Sequence, residues 1–285
     1  MAKKLIPVAI AYDFDGTLAP GNMQEHSFLP QIGQTPSDFW QETKALAKKN
    51  DMDEILAYMF LMLKHAGTQN VPVTRDSFEK HGNTIAFFDG VEAWFDRINA
   101  YGKQLGLKVD HYIISSGLRE LVDGTKIRKQ FKYVFASGFM YDANNVAIWP
   151  ALAINYTNKT QHLFRINKGI ENAFDNTKIN KFTAPENRPV PFKNMIYIGD
   201  GETDIPAMKM VKYQGGYSVA VYDRAKRKTK IRASAKDIVQ ELLEQERADF
   251  AVPADYTDGQ PLDKIVKAAL EKIAVENRLL AERKR

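Results

Sequence analysis

The residues best suited to chemistry fall in four stretches, each carrying groups that act on an anion. The first is Asp13-Phe14-Asp15-Gly16-Thr17, directly behind the apolar, β-branched run from Val8 to Tyr12. Two carboxylates one residue apart share a face if the chain stays extended. Close carboxylates repel unless a cation or a shared proton intervenes. Hard oxygen ligands of this kind suit Mg²⁺, which keeps places for water and for a substrate phosphate. Gly16 lets backbone turn or approach a ligand closely, and Thr17 offers a hydroxyl and an N–H. An Asp-Gly pair alone marks a turn. The whole pattern behind a strand points further, to a site.

The second stretch is Ser115-Ser116-Gly117, behind Tyr112-Ile113-Ile114. A serine between a strand and a helix start offers a hydroxyl and N–H groups to a phosphoryl oxygen; its plain alternative is a helix cap. Third, a cation is needed against the phosphoryl charge. Lys159 in Tyr156-Thr157-Asn158-Lys159-Thr160-Gln161 lies at a loop-to-helix boundary. Lys168 is its rival, ~13 Å further along the same helix, and a solvated surface lysine is the alternative for either. The fourth stretch is Asp200-Gly201-Glu202-Thr203-Asp204, behind the strand-like Met195 to Gly199. One acid can complete a metal site while the other positions a water or a basic residue.

These four stretches, in this order, resemble the motifs of the haloacid dehalogenase superfamily, whose members are mainly Mg²⁺-dependent phosphatases. The resemblance covers roughly residues 5–18 and 85–250. It implies Asp13 as nucleophile and Asp15 as general acid and base. Ser115 and Lys159 would stabilise the transferring group. Gly16, Thr17, Ser116, Gly117, Asn22 and Glu25 would contact substrate. The implied Mg²⁺ set is Asp13, Asp200 and Asp204, with Asp15 through its main-chain carbonyl. Asp at position 15 is the phosphatase and mutase pattern rather than that of dehalogenases or ion pumps. A helical block after the first motif and a hairpin near 139–148 look most like the phosphoserine-phosphatase branch. That branch carries a glutamate shortly after its first motif; here Asn22 stands nearby and Glu25 is offset, so phosphoserine is not implied. The implied activity is a Mg²⁺-dependent phosphomonoester hydrolase acting on a small phosphorylated metabolite. A phosphotransferase or sugar-phosphate mutase, or a non-catalytic phospho-ligand module, would use the same scaffold.

The elements must bring these stretches together. Strands are expected at 8–12, 108–114, 132–136, 195–199, 217–221 and 249–252. Helices are expected over 92–105, 118–130, 159–173, 205–210, 235–245 and 262–276, with 175–193 as a loop. This alternation argues for an α/β, doubly wound, mostly parallel Rossmann-like sheet. Ligands bind such sheets beyond the carboxyl ends of the strands, where Asp13, Ser115 and Asp200 all stand. Residues 19–84 read as helical throughout, with a helix start at Pro36 capped by Ser37 or Asp38. They form a helical cap domain inserted after the first strand, beside a core of residues 1–18 and 85–285. Gly21 and Gly90 flank the block as hinge candidates.

Composition excludes several classes. The chain has 285 residues and no cysteine, which removes disulfides, thiolate metal sites and cysteine nucleophiles. The opening Met1 to Ile10 imitates a signal peptide but meets Asp13 without a cleavage site, so it reads as the first strand of a cytoplasmic protein. No segment is long and apolar enough to span a membrane. The net charge of +5 suits an anionic substrate. Basic runs at 224–232 and 283–285 lack interleaved aromatics, so nucleic acid is an unlikely partner. The oligomeric state is left open.

Overall fold

A computed structural model of the chain describes residues 5–225 and 235–283. Its centre is β1 (Ile6–Tyr12), which enters a helical block containing α1 (Phe28–Gln31), α2 (Pro36–Asn50), α3 (Glu54–Thr68) and α4 (Arg75–Gly82). The chain then runs α5 (Val91–Gln104), β2 (Leu107–Leu118), α6 (Arg119–Asp123), β3 (Phe131–Tyr141), β4 (Ala147–Leu152) and α7 (Lys159–Lys168). It continues α8 (Asn176–Asn180), β5 (Met195–Gly199), α9 (Ile205–Tyr213), β6 (Tyr217–Tyr222), α10 (Ala235–Glu244), β7 (Phe250–Pro253) and α11 (Pro261–Glu282). The strand order is β4-β3-β2-β1-β5-β6-β7, parallel except for β4 against β3. The sheet is thus α/β and mostly parallel, as the alternation predicts.

Side-chain alternation sorts β1 onto two buried faces. Val8, Ile10 and Tyr12 pack with α5, α11 and the helical block, while Ala9 and Ala11 pack with α7, α9 and Leu242. Strand order reverses at β1, whose neighbours are β2 and β5. The pair Tyr12↔Ile198 ends the β1–β5 ladder, and Asp13 N–H donates to the Ile198 carbonyl at 2.9 Å. The acids of the first and fourth stretches therefore leave adjacent strands at the crevice where doubly wound folds bind ligands.

The helical block leaves and returns at one point, because Phe88 N–H donates to the Leu18 carbonyl at 3.0 Å. It is not a separate globule. Phe28, Phe39, Met59 and Phe78 belong to the same buried cluster as β1 and Trp94. Its end is sewn to the β3–β4 hairpin by Arg75 N–H to Asn145 O at 3.3 Å and Ala147 N–H to Val73 O at 2.9 Å. Helices α4 and α6 meet backbone on backbone: a Cβ on Gly82 would overlap the Leu121 carbonyl, and one on Gly124 the Glu79 carbonyl.

Several local expectations are corrected. Thr35, not Ser37 or Asp38, caps α2 and accepts the Asp38 N–H at 3.2 Å. Pro36 takes the first helical position, where its missing N–H and fixed φ do no harm, so the cap falls one residue earlier. The helix expected over 118–130 is only Arg119–Asp123. Strand β2 runs on to Leu118 through a register shift after Ser115, and the helix stops where Gly124 meets Glu79. Helix α7 ends at Lys168 because Gly169 turns left-handed at φ +67°. The 175–193 segment contains α8, with Asp175 capping it by accepting the Lys178 N–H at 2.8 Å. Gly90, at φ +82°, lies so close to the backbone of Tyr256 and Thr257 that no side chain fits there. Most of the basic runs at 224–232 and 283–285 lies outside the described residues. Among the described residues no helix is long and apolar enough to cross a membrane.

Candidate active site

The chain turns sharply after β1. Gly16 adopts φ +72°, and a Cβ there would overlap the Asp200 carboxylate. No other residue type fits, since the left-handed conformation and the missing side chain are both needed. The turn leaves Asp13 5% exposed. Its Oδ1 accepts the Phe14 N–H at 2.7 Å, and its Oδ2 lies 2.9 Å from the Lys159 ammonium. Asp15 stands beside it, with Oδ1 accepting the Met23 N–H at 2.8 Å.

Lys159 opens α7 and is 1% exposed. Its ammonium bridges Asp13 and, at 2.7 Å, Oδ1 of Asp204. The same Asp204 oxygen accepts the Tyr197 hydroxyl at 2.6 Å, and its other oxygen accepts the Asp200 N–H at 3.1 Å. Asp204 is thereby an anchor that holds the lysine toward Asp13. Lys168, the rival cation, is elsewhere. It donates to the carbonyls of Ile179 at 2.5 Å and Lys181 at 2.8 Å, and so holds the 175–193 segment onto α7.

Burial dominates the electrostatics. It pushes the Asp13 carboxyl well above the usual carboxylate range, and the Asp204 charge adds to this against the pull of Lys159. It also raises Asp15 to about 7, opposed by the Met23 N–H and helped by Asp200. For Lys159 burial works downward, but Asp13 and Asp204 outweigh it and hold the ammonium charged. Ligand oxygens of Asp13, Asp200 and Asp204 lie within 4.8 Å of one another. Three carboxylates around one ammonium leave excess negative charge in a buried place. An oxygen set with that charge fits a hard divalent cation such as Mg²⁺. Each of the three could supply one ligand oxygen, and Asp204 also accepts the Lys159, Tyr197 and Asp200 donors.

The hydroxyl groups singled out in the sequence lie nearby. Ser115 is fully buried, and its Oγ accepts the Gly117 N–H at 3.0 Å. This leaves its own proton free to donate. Because β2 continues past it, Ser115 does not sit at a helix N-terminus as the sequence suggests. The Oγ atoms of Thr17 and Ser116 are buried with no partner among protein atoms. Asn22 and Glu25 are half-buried and bonded to each other. Oε1 of Glu25 accepts Asn22 Nδ2 at 2.6 Å and Trp40 Nε1 at 2.7 Å. His26 bonds the Pro20 carbonyl at 3.0 Å.

Three residues here escape the sequence reading. Met23 acts through its main-chain N–H, which no side-chain pattern reports. Tyr197 reads only as a strand residue, although its position before Gly199 puts it on the face of Asp204's helix. Tyr58 of α3 donates to the Ser116 carbonyl at 2.7 Å; its signal is a hydroxyl on the apolar face of a helix.

Residues 10–209 match the family model of the haloacid dehalogenase-like hydrolases. The chain belongs to that family. A Borreliella burgdorferi protein of uncharacterised role is 28% identical over 292 residues, covering 94% of this chain and 97% of its own. Among solved structures, a haloacid-dehalogenase-family hydrolase of Salmonella enterica serovar Typhi superposes with TM-score 0.56 at 16% identity, covering 92% of this chain and 71% of the other. A phosphoserine phosphatase carrying a phospho-aspartyl intermediate analogue gives TM-score 0.53 at 15% identity, with 92% and 99% covered. At such identities the likeness is one of fold. This haloacid dehalogenase-like hydrolase thus shares the architecture of phosphoserine phosphatases.

Proposed function

We propose that the protein is a Mg²⁺-dependent phosphatase acting on a small phosphorylated metabolite, with residues 19–84 as its cap domain. The observation that carries this reading is the buried Lys159 ammonium bridging Asp13 and Asp204, with Asp15 and Asp200 alongside. A carboxylate placed so, with a cation at its shoulder, is equipped to attack an anion.

Asp13 attacks phosphorus, and the ester P–O bond breaks as the new P–O bond forms. The leaving alkoxide takes a proton from Asp15. Oδ1 of Asp15 accepts the Met23 N–H, so its proton resides on Oδ2. A carboxyl raised to about 7 is protonated often enough to give this proton and ionised often enough to take one back. In the second step Asp15 removes a proton from water, which attacks phosphorus and releases Asp13. Inorganic phosphate and the alcohol are the products. Ser115 and Lys159 donate to the phosphoryl oxygens in both steps. A Mg²⁺ ion held by Asp13, Asp200 and the Asp15 carbonyl would neutralise oxygen charge on the transferring group.

The test is hydrolysis of p-nitrophenyl phosphate. Turnover with Mg²⁺, its loss in EDTA, and a folded but inactive Asp13→Asn protein are expected. Full activity of Asp13→Asn would overturn the assignment of the nucleophile, and full activity after complete metal removal that of the cation.

A further inference from the structure

Between Asp15 and the helical block lies a second group of polar atoms that the hydrolysis does not use. Gln24 is 1% exposed, and its Oε1 has no partner among protein atoms. The Ser116 Oγ is buried and likewise unpartnered. The Tyr58 hydroxyl joins them: it donates to the Ser116 carbonyl at 2.7 Å, and the Gln24 side chain lies beside it. Ser137 Oγ donates to the same Ser116 carbonyl at 3.1 Å, which fixes that stretch of backbone. The group borders the reacting centre, since a Cβ on Gly117 would come within 3.0 Å of Oδ2 of Asp15. That oxygen is where the leaving alcohol takes its proton.

A buried acceptor left without a donor is costly, and native interiors rarely tolerate one without a ligand or water to meet it. The Gln24 carbonyl accepts only. The Ser116 hydroxyl can accept or donate. An alcohol that brings a hydrogen-bond donor of its own would satisfy both. A plain alkyl or aryl leaving group would bury both atoms unmet. Sites built to bond a substrate O–H or N–H reject analogues that lack it strongly.

We propose that Gln24 and Ser116, held by Tyr58, form a leaving-group subsite for alcohols bearing a second hydrogen-bond donor, either a hydroxyl or an ammonium. The proposal rests on the phosphatase reading above and extends it to the substrate class. Gln24 and Ser116 determine specificity here; the bond-making groups remain Asp13 and Asp15.

The experiment compares kcat/KM for glycerol 3-phosphate with propyl phosphate, and for phosphoethanolamine with ethyl phosphate, in the Mg²⁺-loaded protein. At least a tenfold preference for one donor-bearing ester is expected, and the arm that shows it identifies the donor as hydroxyl or ammonium. In Gln24→Leu that preference should shrink at least tenfold, through KM more than kcat. Should Gln24→Leu not fold, calorimetric binding of the same four esters to Asp13→Asn gives the preference without touching the subsite. Hydrolysis of p-nitrophenyl phosphate with donor-bearing and alkyl esters within threefold of each other would overturn the subsite alone. An unchanged preference in folded Gln24→Leu would do the same. Failure to hydrolyse or bind any phosphate ester would overturn the subsite together with the phosphatase reading.

Discussion

Replacing Asp15 by asparagine is expected to stabilise the protein while it removes the acid, by an amount that depends on pH. Burial holds this carboxyl at about 7 against an ordinary value of 3.8. Below pH ~4 the group is neutral in both folded and unfolded chains and leaves stability unchanged. As pH rises from about 4 to about 7 the unfolded chain ionises first, and stability is lost; above about 7 the whole deficit is present. Roughly three pH units at ~1.4 kcal/mol each give ~4 kcal/mol as an upper bound. Asp15 is half-buried by area, and water screening through the exposed part reduces this to ~2 kcal/mol. Asparagine keeps the size, and its amide oxygen can keep the 2.8 Å bond from Met23. For a chain of this size ~2 kcal/mol is a rise in Tm of about 4–8 °C. Calorimetry in EDTA should show that rise at pH 8 and about a third of it at pH 5. An unchanged Tm at pH 8, or equal gains at both pH values, would refute the buried, proton-holding role of Asp15.

Two further outcomes follow from the geometry. Lys159→Met should be inactive and ~3–5 kcal/mol less stable, because it leaves buried carboxylates unpaired. Lys168→Met should keep turnover within about twofold yet expose 175–193 to proteolysis, since it frees the Ile179 and Lys181 carbonyls; steady-state rates and limited digestion of both variants decide, and equal loss of turnover would refute the division of labour. His162 stacks near Phe135 with both ring nitrogens unpartnered, and burial lowers it to about 3. The unfolded chain therefore binds the proton first as pH falls below ~6.5, and stability is lost; His162→Phe should gain up to ~2 kcal/mol at pH 5 relative to pH 7 in urea unfolding. A gain independent of pH would show that packing alone is responsible.

The site acids were legible because catalysis concentrates them. A run such as Val8 to Tyr12 ending in Asp13 and Asp15 announces both a strand and a rim, and Met195 to Asp200 repeats the device. Choosing Lys159 over Lys168 needed only the helix start, because position at a strand-to-helix rim decides which lysine reaches Asp13. What stayed hidden depends on backbone. Met23 serves Asp15 through an N–H that every residue but proline has. Strand β2 passes Ser115 without stopping because Leu118 is apolar enough to stay in the sheet, so a helix cap was read where none exists. Glu25 is a substrate-contact candidate in the sequence although offset from the family's glutamate, and only the packing of α2 brings Trp40 to its carboxylate. The depth of α4 against α6 was equally unreadable, since a missing Cβ records closeness without naming the neighbour.

That contact has a mechanical consequence. With Gly82 and Gly124 pressed onto carbonyls, and 73–75 stitched to 145–147, the helical block is fastened along the side nearest the β3–β4 hairpin. Sliding along that margin would drive backbone onto carbonyls, so the margin is held in place. Elsewhere side chains join it to the core: Tyr58 donates to the Ser116 carbonyl at 2.7 Å, and Asn155 Nδ2 donates to Asp53 Oδ2 at 2.7 Å, at the rim of a cavity of about 200 Å³ formed by Asp53, Glu54, Ile55, Asn155, Tyr156 and Thr157. One polar clasp can be undone at little cost in water, whereas a backbone seam cannot slip without a clash. The block is therefore least free to shift along the seam, and the cavity at its Asp53 contact lies two residues along the chain from Lys159.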